Sequence, residues 1–171
     1  MSVTSDTPSH STGSNAYIKR AYEPQTVDST RNLYDEWAAK YDADLVEEGY
    51  QAPSLAAPAI TSFLGAEALR TATVLDAGCG TGLVGQLLAR DYGASTVDGV
   101  DLSPGMLEVA RKTGVYRHLE AADLSEPMAQ RDASYDVVVC VGTLTRAHLG
   151  PRVLNEFARI VRGAGSLSLP S

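Results

Sequence analysis

The stretch TVLDAGCGTG, residues 73–82, decides the fold. Thr73-Val74-Leu75 is a short apolar, β-branched run, which predicts a buried strand closing at Asp76. Gly78, Gly80 and Gly82 follow at alternate positions. Leu83, Val84, Leu87 and Leu88 then recur at helical spacing and predict a helix over 82–91. A strand-to-helix turn with three residues lacking Cβ can bring its backbone against a ligand. The spacing is G-x-G-x-G, whereas a dinucleotide loop needs G-x-G-x-x-G to place a pyrophosphate on a helix N-terminus. Asp76 beside the loop would repel a diphosphate and would suit a ligand carrying an ammonium group. A nucleotide-dependent oxidoreductase is therefore the least favoured reading.

Outward from this turn the alternation continues. Ser95 to Val100 predicts a second strand ending at Asp101, and Ser103-Pro104 predicts a helix start, with Ser as N-cap and Pro at the first helical position, running to Lys112. Residues 116–121 predict a third strand. Tyr135 to Val141, YDVVVCV, predicts a central parallel strand, because a strand covered on both faces is apolar throughout. Pro151 opens a helix with Val153, Leu154, Phe157, Ile160 and Val161 on one face, and GSLSL, 165–169, predicts a fifth strand. Such alternation implies an α/β fold, a parallel sheet with helices on both faces. Ligands of such sheets sit beyond the carboxyl ends of the strands, where the strand order reverses.

Towards the N-terminus, residues 1–28 are expected to be a tail, disordered over 1–15, followed by a transitional segment anchored by Tyr17, Ile18 and Tyr22. The domain proper is expected over 29–171, with a helical cap over 29–66 and the sheet-bearing core over 72–171. One helix is predicted from Ser29 to Asp44, capped by Ser29 or Thr30, with Leu33, Tyr34, Trp37, Ala38 and Tyr41 on one stripe. A second is predicted over 54–64. Pro58 inside it implies a late start or a kink.

Charge narrows the function. Fourteen Lys and Arg against 21 Asp and Glu give a net charge of −7, with no basic cluster, which argues against nucleic acid or an anionic membrane as partner. Cys79 and Cys140 lie in apolar runs without metal-ligand spacing, so both read as reduced thiols and no metal is expected. No secretory signal or membrane-length apolar run is present, so the expected location is the cytoplasm, with the nucleus also open to it.

The remaining acids suggest a ligand. Asp101, closing the second strand, can accept two hydrogen bonds from a ribose diol. Asp123, after the third strand, can accept from an exocyclic amine such as that of adenine. Met106 can pack on a purine face or serve only in the core.

VLDAGCGTG, an acid closing the second strand and AD after the third together resemble the class I S-adenosylmethionine-dependent methyltransferases. YDEWAAKYDADLVEEGY, upstream, resembles the cap of the Williams-Beuren-region type of methyltransferase-like proteins and, less closely, the quinone-biosynthesis methyltransferases. The resemblance implies a Rossmann-like sheet of strand order 3-2-1-4-5 and S-adenosyl-L-methionine as cofactor. Gly78, Gly80 and Gly82, with Ala77 and Cys79 between and before them, would form the loop under the methionine part, near Asp76. Asp101 would hold the ribose and Asp123 the adenine amine, with Leu102, Ala122, Leu124 and Val141 alongside. Tyr34 and Tyr41 would either close over the sulfonium or only pack the cap, as Trp37 would.

Methyl transfer to an acceptor, a small molecule on this reading, needs alignment and dehydration more than a fixed triad. If a base is used, His148, after the fourth strand, is the histidine to consider; a surface or capping role is its alternative. The family's usual last two strands have no counterpart before Ser171, so the fifth strand is expected to be an edge through which copies could self-associate. A cofactor-binding module with impaired turnover is the alternative function.

Overall fold

The computed structural model describes residues 15–23, 25–144 and 152–163. Four parallel strands form the sheet: β1 (Thr73–Ala77), β2 (Thr96–Asp101), β3 (Tyr116–Ala121) and β4 (Val137–Val139), in the order β3-β2-β1-β4. The expected five strands are thus four among the described residues. The fifth, at 165–169, lies outside them, as does any edge it would form. Val161 makes a single parallel bridge to Tyr135 on the far side of β4.

Eight helices complete the described chain. The cap holds α1 (Ala16–Ala21), α2 (Val27–Trp37), α3 (Tyr41–Glu47), α4 (Ala52–Leu64) and α5 (Ala66–Thr71); α6 (Leu83–Arg90), α7 (Pro104–Lys112) and α8 (Arg152–Ile160) alternate with the strands. Successive strand residues face opposite sides. Val74 therefore packs with Ala57, Leu69, Val84 and Leu88 of α4, α5 and α6, while Leu75 packs with Val153 and Ile160 of α8.

Several expectations are corrected. The segment expected as a transition carries α1, whose first turn is capped by the Asn15 side chain and whose Tyr17 stacks on Trp37 at 5.5 Å. The helix expected from Ser29 starts at Val27 instead. Thr26 accepts the Ser29 amide at 3.1 Å while its own amide donates to the Ser29 hydroxyl at 2.8 Å, so Ser29 is the far half of a capping box. The same helix stops at Trp37 rather than Asp44. The Lys40 amide turns back to the Trp37 carbonyl, and the Trp37 indole donates to Asp44 at 2.6 Å, so the indole is held across a turn into α3.

Pro58 sits inside α4 after all. The bond it cannot make would go to the carbonyl of Ser54, and both residues are exposed, so water can satisfy that carbonyl. The fourth strand is shorter than 135–141. Tyr135 pairs with the segment after α8, and beyond Val139 the chain leaves the ladder and turns at Gly142, φ +77°, bringing Val141 to the strand ends.

Candidate functional site

Strand order reverses between β1 and β4, and a pocket opens beyond the carboxyl ends of the strands at that point. Its floor is the glycine turn. Gly78, Gly80 and Gly82 have φ of +73°, +54° and +93°, a region open to glycine at little cost. The amides of Gly78 and Cys79 both donate to the carbonyl of Val100, at 2.8 and 3.0 Å, which ties the turn to the end of β2. A Cβ on Gly78 would overlap the Thr143 hydroxyl, whereas a Cβ on Gly80 would meet nothing within 4 Å. The turn is therefore closed against β4 at Gly78 and open to the pocket at Gly80.

Asp101 is the hub of the site. One carboxylate oxygen accepts the Gly80 amide at 2.8 Å and the other the Ser103 amide at 2.9 Å. Burial pushes its pKa above the ordinary carboxylate value, and the two amides pull it back down. Each oxygen keeps a second lone pair, so the group can still accept from a ligand hydroxyl. Leu102 and Met106 line the pocket beside it, on the turn and first helical residues that Ser103 caps by accepting the Met106 amide at 3.0 Å. Ala122, Asp123 and Leu124 line the next edge; Asp123 is braced by the amide and hydroxyl of Ser125 at 2.8 and 2.6 Å. Val141 closes the side under β4.

The roof comes from the cap. Tyr34 and Tyr41 line the pocket with ring centroids 6.2 Å apart, while Trp37 packs behind them, edge-on to Tyr41 at 4.6 Å. Burial, followed by the charge of Asp101, pushes Tyr34 up to about 12; burial raises Tyr41 further in the same direction. Both phenols hold their protons at neutral pH, so each offers a hydroxyl donor and an aromatic face to the pocket rather than a base.

Not every residue singled out above reaches the pocket. Asp76 and Ala77 lie within β1, and Asp76, only 1% exposed, accepts a hydrogen bond from the Tyr116 hydroxyl instead. The Cys79 thiol is buried against Gly99, and burial raises its pKa; Gly82 caps α6 and backs onto the Tyr116 ring. Cys140 is half-buried, its thiol raised to about 11 by burial, and both cysteines are free. His148 lies outside the described residues.

Other residues belong to the site without having been read from the sequence. Gln25, Thr26, Val27 and Thr30 bring the start of α2 to the pocket, and Gly142 and Thr143 form its opposite wall. Two cap carboxylates hold the loops: Asp35 accepts the Ser103 hydroxyl at 2.5 Å and the Gly105 amide at 2.8 Å, and Asp42 accepts the Thr81 hydroxyl at 2.5 Å. The capping box at Thr26 and Ser29 was the available signal for where α2 begins; nothing local marks Asp35 or Asp42.

Comparison with known proteins agrees with this geometry. Residues 74–165 match the family model described as a methyltransferase domain. Methyltransferase-like protein 27 of Homo sapiens is 37% identical over 131 residues, covering 76% of this chain and 53% of the relative. A ubiquinone biosynthesis O-methyltransferase of Xanthomonas oryzae is 34% identical over 108 residues, covering 59% and 43%. The chain spans about half the length of these curated relatives. Among solved structures, the complex between the Haloferax volcanii Trm112 methyltransferase activator and a methyltransferase aligns with a TM-score of 0.60 at 25% identity, over 77% of this chain and 57% of that one.

Proposed function

Since this chain belongs to the class I S-adenosylmethionine-dependent methyltransferases, we propose that its pocket binds S-adenosylmethionine and that it methylates a small-molecule acceptor. The observation that carries the reading is the pairing at the floor of the pocket. A turn open at Gly80 lies directly beside Asp101, whose two oxygens are fixed by backbone amides and keep acceptor capacity.

The residues present fit that cofactor. Asp101 would accept the ribose hydroxyls, Asp123 the adenine amine, and Leu102, Met106 and Leu124 would flank the ring. Asp76 acts from below the loop, without lining the pocket. The bound cofactor supplies an electrophilic methyl group on a sulfonium. The chain's own part is to hold, orient and dry. Tyr34 and Tyr41 would turn aromatic faces toward the cationic centre, where the ring quadrupole favours positive charge. The entry to α2 and its first turn, from Gln25 to Thr30, would wall the acceptor side against water. A small acceptor is supported by the roofing of the pocket by the cap and by the similarity to ubiquinone biosynthesis O-methyltransferases. Among the described residues no helix is long and apolar enough to cross a membrane.

Titration calorimetry with S-adenosylhomocysteine and with NAD, alongside a methyl-transfer assay, tests the reading. Binding of the first and not the second is expected. Binding without transfer to any small acceptor would favour the binding-module alternative, and preference for NAD would refute the assignment.

A further inference from the structure

A tyrosine reaches the root of the glycine loop from two strands away. Tyr116 opens β3, and β2 lies between β3 and β1. Its ring crosses β2 at Gly99, where a Cβ would sit 3.0 Å from Cε1. It passes beneath the start of α6 at Gly82, where a Cβ would sit 2.9 Å from Cε2, and at Gly85, where a Cβ would overlap the hydroxyl itself. Three glycines, at the start of α6, within it and in β2, thus leave a slot the size of one ring. The hydroxyl ends 2.8 Å from Oδ2 of Asp76, the residue just before Ala77-Gly78.

We propose that Tyr116 is a positioning residue for the cofactor loop: its hydroxyl orients Asp76 and favours its carboxylate form, so that cofactor affinity rises as Asp76 loses its proton. The inference rests on the reading of the pocket as an S-adenosylmethionine site.

Among the described residues the Tyr116 hydroxyl from β3 donates to Asp76 and the Gly85 amide of α6 acts to lower its pKa; the Cys79 thiol in the loop, the Cys140 thiol beyond β4 and the Asp101 carboxylate at the end of β2 are its other titratable neighbours. Burial is the largest influence and pushes Asp76 up to about 7, with the Tyr116 bond opposing it. Tyr116 itself is driven far above its ordinary value by burial and the nearby Asp76, so it remains a donor throughout the neutral range. Ionised Asp76 accepts the Tyr116 hydroxyl and places negative charge beneath a loop that faces a cation. Protonated Asp76 keeps a carbonyl oxygen that can accept the hydroxyl but loses the charge. Affinity therefore rises as pH rises through the Asp76 titration.

The test is titration calorimetry with S-adenosylmethionine between pH 5.5 and 9 on the wild-type chain, Tyr116→Phe and Asp76→Asn, each checked for folding by circular dichroism. Wild-type affinity should climb with a midpoint near 7, the value to which burial pushes Asp76. Tyr116→Phe keeps the ring but removes the donor. Its midpoint should move up by about one pH unit, leaving it about fivefold weaker at pH 7 and close to wild type at pH 9. Asp76→Asn should flatten the profile. A Tyr116→Phe chain weakened equally at every pH would mean a purely structural role and overturn the proposal, as would an Asp76→Asn chain that keeps the wild-type slope. A wild-type chain that binds at no pH would overturn the reading of the pocket and this inference with it. Should a variant fail to fold, ¹³C NMR of the Asp76 carboxyl in the wild-type chain decides: a midpoint near the ordinary carboxylate value overturns the proposal, and one near neutrality supports it.

Discussion

Replacing Asp101 by alanine should separate the structural and ligand-binding parts of this site. The carboxylate accepts the amides of Gly80 and Ser103 at 2.8 and 2.9 Å. A hydrogen bond to a charged group contributes about 1.5–3 kcal/mol, so the gross loss is about 3–6 kcal/mol. Removing a buried carboxylate also relieves its desolvation and its repulsion with Asp35, which is why its pKa sits above the ordinary value. The net destabilisation should fall below that range, about 2 kcal/mol, or a Tm lower by about 4–8 °C for a chain of this size. Asp101→Asn keeps one acceptor and should lose about half of that. S-adenosylhomocysteine should bind the alanine variant more weakly by a further ~1.5–3 kcal/mol, one to two orders of magnitude in Kd. An analogue lacking both ribose hydroxyls should show little of that difference. Calorimetric melting and isothermal titration read both quantities. An unchanged Tm would refute the amide bridge, and an equal affinity penalty for both ligands would refute the ribose contact.

Gly80→Val should abolish binding of S-adenosylhomocysteine while the chain still folds, because the side chain enters open pocket space at a φ of +54° that costs a β-branched residue about 1–3 kcal/mol; calorimetry against circular dichroism checks this. Asp35→Ala removes the acceptor for the Ser103 hydroxyl and Gly105 amide and should cost about 1 kcal/mol, with faster hydrogen exchange in α2 and the first turn of α7. Because Asp76 titrates near 7 in the folded chain against 3.8 as a free side chain, the folded state binds the extra proton; stability from this group is greatest below about 4 and is lost as pH rises toward 7. Denaturant unfolding of Asp76→Asn should lack that fall between pH 4 and 7, and an identical pH profile in both chains would contradict it.

By itself, the sequence determined the parts of the molecule that depend on local rules. The glycine turn, the Ser103-Pro104 helix start and the strand at 116–121 are legible because glycine dihedrals, N-caps and side-chain periodicity act within a few residues. The order of strands and helices followed from the same patterns, and with it the crevice at the strand ends. Element boundaries in the cap were less legible. One apolar stripe through Leu33, Trp37 and Tyr41 fits a single helix as well as two, and the break came from the indole of Trp37 bonding to Asp44. The apolar run at 135–141 likewise could not say where its ladder would end, because that depends on which segment pairs with Tyr135. Tertiary structure alone decided that Asp76 turns from the pocket to Tyr116, 40 positions away, and that Asp35 and Asp42 brace loops 68 and 39 positions distant. A carboxylate beside a glycine loop carries the same local signal whether it faces ligand or core. Its direction is set by the room left at Gly82, Gly85 and Gly99 for one tyrosine ring, and that room exists only after the sheet and α6 have packed.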